Sequence, residues 1–341
     1  MMTERYDVAV VGATGAVGEA MLTILAERRF PLGKVHALAS ERSVGEEVSF
    51  GSGTLQVSDL ADFDFSQVQI GLFSAGGAVS AEYAPKAASA GCVVIDNTSK
   101  FRLEPDVPLV VPEVNPEKIA DYKATGIIAN PNCSTIQMVV ALKPIYDAVG
   151  IRRINVATYQ AVSGAGRRAV EELVRQTALL LNGRPLDIKG AAKQIAFNAV
   201  PHIDEFQDNR YTREEMKMVW ETQKILGDES IAVNATAVRI PVFYGHSEVV
   251  NIETEKKISA AQVCDLMRHA EGVELIDGTE TGKYPTAVTD ASGKDAVFVG
   301  RVREDLSHPH GINLWIVSDN IRKGAALNSV QIAEILAKNH L

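Results

Sequence analysis

Cysteine is scarce in this chain: Cys92, Cys133 and Cys264 are the only three in 341 residues. They are odd in number and far apart, which excludes a CxxC metal site and argues against a disulfide framework. No apolar run approaches the roughly 20 residues that a membrane helix needs. The opening stretch, Met-Met-Thr-Glu-Arg-Tyr-Asp, lacks the apolar core of a secretion signal. Basic residues number 34 against 43 acidic ones, for a net charge of −9, and they form no cluster. That balance speaks against a nucleic-acid surface. The expectation is a cytoplasmic protein with reduced thiols, no metal, and neither nucleic acid nor membrane as a partner. What is present is ordinary for a globular chain, 46% hydrophobic and 23% charged. The length suffices for two domains.

The first part alternates short apolar runs with helical patterns. Strands are expected at Tyr6–Val11, Lys34–Ala39, Ile70–Phe73, Val93–Ile95 and Ile127–Ala129, with helices at Ala16–Arg28 and Ala78–Ala90. This order predicts a parallel, doubly wound sheet. Beyond about Arg153 the strands lengthen and partly alternate, at Ile154–Gln160, Ala232–Arg239, Glu248–Glu255, Ala296–Arg303 and Ile312–Val317. Helices at about Ala165–Leu181 and Ser259–His269 interrupt them. The fold class is therefore α/β: an N-terminal Rossmann-type domain over residues 1–131, and an α+β domain with a mixed sheet over 132–318. A last helix, within 319–341, returns to the first domain.

Three stretches carry chemistry. In Val-Val-Gly-Ala-Thr-Gly-Ala-Val-Gly, Gly12, Gly15 and Gly18 lie between the first strand and first helix. Glycines there allow a tight turn and let backbone approach a pyrophosphate held by the helix N-terminus. The second strand ends in Ser40, Glu41, Arg42 and Ser43. An arginine flanked by hydroxyls suits the 2′-phosphate of NADP, whereas Glu41 can serve the free ribose of NAD. In Asn-Pro-Asn-Cys-Ser-Thr-Ile-Gln, Cys133 falls at a strand-to-helix junction. Unpaired N–H groups and the positive end of the helix dipole stabilise a thiolate there. Pro144 is expected to kink or stop that helix.

Other segments are open to ordinary readings. Phe73–Gly77 and Asp96–Arg102 follow strands of the first sheet, where ligands bind, and Lys100 and Arg102 can hold an anion. His246 follows a glycine at the start of a strand, exposed enough for acid/base work. Charges on the helix Arg-Glu-Glu-Met-Lys-Met-Val-Trp, Glu214 and Lys217 among them, would ordinarily be a solvated face. Cys92 and Cys264 read as core packing.

Taken together, the motifs resemble the aspartate-β-semialdehyde dehydrogenase family from Gly12 to the end of the chain. They are NPNCSTIQ, TYQAVSGAG, REEMK, RIPVFYGHSE, GKDAVFVGRVRED and DNIRKGAALNSVQIAE. The resemblance implies that Cys133 is the nucleophile and His246 the acid/base, taking the thiol proton. Gln160 would stand beside the reacting centre and Asn132 next to the thiol. Arg239 would grip the substrate α-carboxylate, Glu214 its α-amino group, and Arg102 and Lys217 the phosphate. NADP would lie against Gly12, Thr14, Gly15, Ala16, Val17 and Gly18, with Ser40, Arg42 and Ser43 at its 2′-phosphate. Ser74, Gly76, Ser163, Gly164 and Asn320 would complete that site, Asn320 at the nicotinamide. The implied reaction is NADPH-dependent reductive dephosphorylation of L-aspartyl-4-phosphate, releasing phosphate, in lysine, threonine and methionine biosynthesis. The second domain would also make a homodimer. N-acetyl-γ-glutamyl-phosphate reductases and glyceraldehyde-3-phosphate dehydrogenases share this two-domain plan but surround the cysteine with other residues.

Overall fold

Tyr-Asp-Val-Ala-Val-Val is apolar almost throughout because its strand is buried on both faces, as in a parallel sheet covered by helices. A computed structural model of the chain describes residues 4–187 and 193–341. This run forms β1 (Tyr6–Val11), with Val8, Ala9, Val10 and Val11 fully buried. There follow α1 (Ala16–Glu27), β2 (Leu32–Ala39), β3 (Glu47–Phe50), β4 (Gly53–Asp59), β5 (Ile70–Phe73), α2 (Gly77–Ser89), β6 (Val93–Asp96) and β7 (Ile127–Ala129). The seven strands lie in the order β3-β4-β2-β1-β5-β6-β7, all parallel pairings except the β3–β4 hairpin. Chain order reverses beside β1, and ligands bind at such a switch point, past the carboxyl ends of the strands. The hairpin went unread because its polar and apolar residues alternate over short spans at an exposed sheet edge.

The second compact unit runs from Cys133 to Gly324. It holds α3 (Cys133–Val149), β8 (Ile151–Gln160), α4 (Arg167–Leu181), α5 (Arg213–Leu226), β9 (Ala232–Arg239), β10 (His246–Thr254), α6 (Ala260–His269), β11 (Val273–Leu275), β12 (Val297–Glu304) and β13 (Gly311–Ser318). Its sheet has the order β11-β12-β13-β10-β8-β9 and is mixed, with β8–β9 and β11–β12 parallel. Alternation in β8 sends Ile154, Val156, Thr158 and Gln160 to a buried face. The helix α3 packs on this sheet. Pro144 does not stop α3, which continues to Val149. Proline removes one i→i−4 bond, but burial of Ile136, Val139, Val140, Leu142 and Ile145 outweighs that loss. Each such side chain contributes about 1.5–3 kcal/mol when buried.

From Ala325 the chain rejoins the first unit, where α7 (Leu327–Asn339) packs alongside α1. Tyr6 Oη donates to the Ala337 carbonyl at 2.8 Å, and Arg28 forms a two-pronged ion pair with Glu334. Asp319–Gly324 stays with the second unit. There Asp319 accepts from the backbone amides of Gly293, Ile321 and Arg322.

Candidate active site

In the first unit, Gly12 turns the chain out of β1 with φ +86°, a conformation that L side chains rarely adopt. A Cβ there would lie 2.9 Å from the Ala75 amide nitrogen, and one on Gly18 would run into the Gly12 carbonyl oxygen. Only glycine lets these backbones close up. The helix α1 starts at Ala16 with Gly15, which has no side chain to cap it, as N-cap. Its first amides and the helix dipole form a cradle for phosphate that a dinucleotide fits. Thr14, Ala16 and Val17 line the same turn, half-buried. Ser74 is tied to the Val11 carbonyl through both amide and hydroxyl, and Gly76 (φ +99°) opens α2 without a side-chain cap. Ser40 and Arg42 are exposed just past β2, with Ser43 half-buried and its amide bonded to the Ser40 carbonyl.

Arg102 also belongs to this unit. It is nearly buried, and its Nη2 donates to the Asn97 carbonyl at 2.9 Å. Asp96, whose pKa burial raises, accepts the hydroxyls of Ser80 (2.6 Å) and Thr98 (2.7 Å). Asn132, 6% exposed, closes the unit directly before Cys133.

In the second unit, Cys133 is the first residue of α3. Gly324 lies against it, and a Cβ there would come within 2.8 Å of the Cys133 Cβ. The parallel β8–β9 pairing sets Gln160 opposite Arg239, both at strand ends. On the other side of β8, His246 opens β10 with Nε2 3.5 Å from Gln160 Nε2. Gln160 donates to Glu214 at 3.1 Å, and Lys217 bridges Glu214 (2.9 Å) and Asp204 (2.8 Å). Arg239 Nη1 donates to the Ala161 carbonyl at 2.6 Å, and the Ala161 amide donates to His246 Nδ1 at 3.0 Å. A Cβ on Gly164 would lie 3.1 Å from Arg239 Nη1 and 3.3 Å from the His246 ring. Asn320 joins the surrounding loops, accepting from the Gly245 amide (2.9 Å) and donating to Ser163 Oγ (3.0 Å). Cys133, Gln160, Glu214, Lys217, Arg239 and His246 thus share one unit, as do Ser163, Gly164 and Asn320. Arg102, Asn132 and the remaining cofactor candidates lie in the other.

Charge follows from burial. Burial, with Arg239 close by, pushes His246 down to about 3, although Glu214 and the Gly245 carbonyl pull the other way. Burial also lowers the Arg239 pKa, opposed by the charges of Cys133 and Glu214. For Lys217, burial alone would lower the value, but Glu214 and Asp204 outweigh it and raise it. The site therefore holds two cations, Arg239 and Lys217, two carboxylates, Glu214 and Asp204, and an uncharged imidazole.

Three expectations fail here. His246 is fully buried, because β10 begins at His246 itself and turns the ring onto the sheet face. The α5 charges are not a solvated face, since Glu214, Glu215 and Glu221 are buried. A capping box explains part of this. Thr212 accepts from the Glu215 amide while Glu215 accepts from the Thr212 amide (2.7 Å) and, through its other oxygen, from Ala237 of β9 (3.0 Å). That clamp sets the rotation of α5 and points Glu214 at Gln160. The Thr-x-x-Glu spacing was a readable signal for it; Asp204 and Ala161 carried none. Cys264 is half-buried, its thiol donating to Asp277 rather than packing in a core.

Among the described residues, no His, Cys, Asp and Glu cluster could hold a metal, and no helix is long and apolar enough to cross a membrane. Two family models match the chain: the semialdehyde dehydrogenase NAD binding domain over residues 7–122 and the semialdehyde dehydrogenase dimerisation domain over 142–323. An aspartate-semialdehyde dehydrogenase of Legionella pneumophila is 63% identical over 340 residues, all of this chain and 98% of that protein. The crystal structure of aspartate semialdehyde dehydrogenase II from Vibrio cholerae complexed with ASA superposes with a TM-score of 0.97 at 60% identity, covering 99% of this chain and 100% of that one. An aspartate semialdehyde dehydrogenase with NADP from Candida albicans gives 0.78 at 26% identity, covering 99% of this chain and all of the other. The two sites, each built within its own unit, and these matches over the whole length show that the chain belongs to the aspartate-semialdehyde dehydrogenase family.

Proposed function

We propose that the protein reduces L-aspartyl-4-phosphate to L-aspartate 4-semialdehyde, reversibly, with NADPH as reductant and a thioester on Cys133. The observation that carries this reading is the grouping of Gln160, Glu214, Lys217, Arg239 and His246 at the end of the sheet on which the Cys133 helix packs. A small amino acid offers a carboxylate and an ammonium as fixed handles. Arg239 supplies a planar fork for the first and Glu214 a charge for the second. Lys217, with Arg102, suits the phosphate.

Cys133 acts as the thiolate, favoured by the α3 amides and by the charge of Arg239. Its sulfur bonds to the acyl carbon, the carbon–oxygen bond to phosphate breaks, and phosphate leaves with the electron pair. Nicotinamide, when bound, would supply the hydride for reduction of the thioester. The tetrahedral oxyanion then re-forms a carbonyl as the carbon–sulfur bond breaks, regenerating the thiolate. Covalent catalysis thereby splits one difficult step into two. No step in this scheme needs a base to take the thiol proton, and His246 is assigned a donor role in place of the acid/base role implied by the resemblance. Its Nδ1 accepts from Ala161, the neutral ring carries its proton on Nε2, and it donates to the oxyanion.

The cofactor is assigned to the Gly12–Gly18 turn and α1, with Arg42, Ser40 and Ser43 as the 2′-phosphate group and Ser163, Gly164 and Asn320 near the nicotinamide. The half-buried sheet face bearing Tyr159, Val249 and Trp315, the two rings 5.9 Å apart, is assigned to a homodimer. The product would feed lysine, threonine and methionine synthesis in the cytoplasm. The deciding assay is phosphate-dependent NADP reduction by the purified protein with L-aspartate semialdehyde. A better rate with glyceraldehyde 3-phosphate or N-acetylglutamate semialdehyde would overturn the reading.

A further inference from the structure

Directly behind the reacting groups lies a carboxyl that the mechanism above does not use. Glu248 sits two residues after His246 on β10 and so faces the same side of the sheet. It is fully buried, with Thr158 of β8 and Ile316 of β13 as its cross-strand neighbours. Gln137, also fully buried, is one helical turn after Cys133 on α3 and lies on the same stripe of that helix. The Gln137 amide is the polar group that acts on Glu248, yet none of the four polar atoms of these two side chains closes a hydrogen bond among the described residues. Among the described residues no cation is seen to act on Glu248: Thr158 and Ile316 are uncharged, and His246 is held neutral.

A buried carboxylate with no cation gives up its charge rather than stay ionised. Burial accordingly raises the Glu248 pKa well above the ordinary carboxyl value. A neutral acid has one O–H donor and one carbonyl acceptor, the complement of the carbonyl and NH₂ of a glutamine. Packing alone would be served by two apolar side chains, which make no directional demand. A donor–acceptor pair fixes angle and register as well as distance. Between Gln137 and Glu248 such a pair would join the helix that starts with the nucleophile to the strand that starts with the imidazole.

We propose that Glu248 is a positioning residue for the Cys133 chemistry: an uncharged carboxylic acid that pairs with Gln137 and locks α3 to β10, holding Cys133 and His246 in register. The inference rests on the proposed thioester reaction only for the turnover it predicts.

Three variants and their partner control test it. Glu248→Gln keeps one donor and one acceptor and should rescue kcat to within about threefold of the parent, with an unchanged pH profile. Glu248→Leu leaves Gln137 unpaired and should lower kcat at least tenfold while KM for the aldehyde and NADPH affinity stay within about twofold. Gln137→Leu should do the same. The double variant Gln137→Leu/Glu248→Leu removes both partners, which is close to neutral for stability. Its melting temperature should recover while kcat stays low. Recovery of kcat together with the melting temperature would show a purely structural role and overturn the proposal. So would a Glu248→Gln enzyme that is inactive or has a displaced pH limb, since the carboxyl would then be titrating. Two readouts need no substrate. The infrared carbonyl band of a protonated acid at neutral pH should vanish in Glu248→Gln, and iodoacetamide should label Cys133 more slowly in Glu248→Leu. These remain decisive even if aspartate semialdehyde proves to be the wrong substrate.

Discussion

The backbone amide of Ala161 donates to Nδ1 of His246 at 3.0 Å, and an amide cannot turn round to accept. The ring therefore keeps Nδ1 unprotonated and presents Nε2–H to the site. Protonating it would set two donors face to face, which acts in the same direction as the burial that pushes its pKa down to about 3.

The role proposed for His246 is therefore that of a hydrogen-bond donor. His246→Gln, whose amide can place an N–H near the Nε2 position, should keep far more activity than His246→Ala. Loss of one oxyanion donor costs roughly 10²–10³ in kcat. No limb near the ordinary imidazole pKa should be traceable to His246 in the kcat/KM profile. Equal activities for the two variants would refute the donor role. Stability has its own signature. The unfolded ring takes up a proton near pH 6.5 and the folded ring only near 3, so stability falls as pH drops through that window, by about 1.4 kcal/mol per pH unit for this group. His246→Gln should flatten that acid slope in urea titrations.

Cys133 should react far faster with iodoacetamide than the other two thiols. Burial pushes Cys92 up to about 12, and burial with Asp277 pushes Cys264 up to about 11. Thiolate fraction and access govern alkylation. Cys133→Ala should abolish turnover and leave NADPH affinity intact; residual turnover near the parent level would rule out the thioester.

Much of this was legible in the sequence because its signals are local. A buried parallel strand followed by glycines, a proline-bounded strand end before Cys133, and two sheets of different texture all announce themselves within a dozen residues. What escaped depends on contacts distant in the chain. Burial of His246 and Glu248 follows from α3 lying over β10, more than 100 positions away in sequence. Asp204 reaches Lys217 from a loop with no pattern of its own, and the Ala161 amide acts through backbone, which residue type does not reveal. The β3–β4 hairpin sits at an exposed edge, where core periodicity fades.

Cofactor choice should lie with Arg42. It is exposed past β2, between Ser40 and Ser43, and a guanidinium there is free of the burial that constrains Arg102 and Arg239. Arg42→Ala should weaken NADPH by about 1.5–3 kcal/mol, roughly ten- to a hundredfold, as expected for one lost charge-assisted bond. NADH should be nearly unaffected, since it lacks the 2′-phosphate. Fluorescence titration with both nucleotides decides this, and equal losses would leave Arg42 a structural role only.

Substrate grip should lie with Arg239 and Glu214, and their neighbours say how each will fail. Arg239 already commits Nη1 to the Ala161 carbonyl at 2.6 Å, which leaves the rest of its fork for a carboxylate. Lysine keeps the charge but cannot make both contacts at once, so Arg239→Lys loses either the anchor or the ligand. A substrate held by one bond swings away from Cys133, and kcat/KM should fall at least a hundredfold, with kcat sharing in the loss. Glu214→Gln keeps a side chain near Gln160 but removes one of the two charges that raise the Lys217 pKa, leaving Asp204 bonded to that lysine. It should raise KM for aspartate semialdehyde about tenfold, in line with the roughly 1.5 kcal/mol of one hydrogen bond to a charged group. An analogue without the amino group should show little further change. Steady-state kinetics of both variants on both substrates provide the check. An Arg239→Lys enzyme with parental kcat/KM would remove Arg239 from the substrate site, and a Glu214→Gln defect of the same size on the deaminated analogue would do so for Glu214.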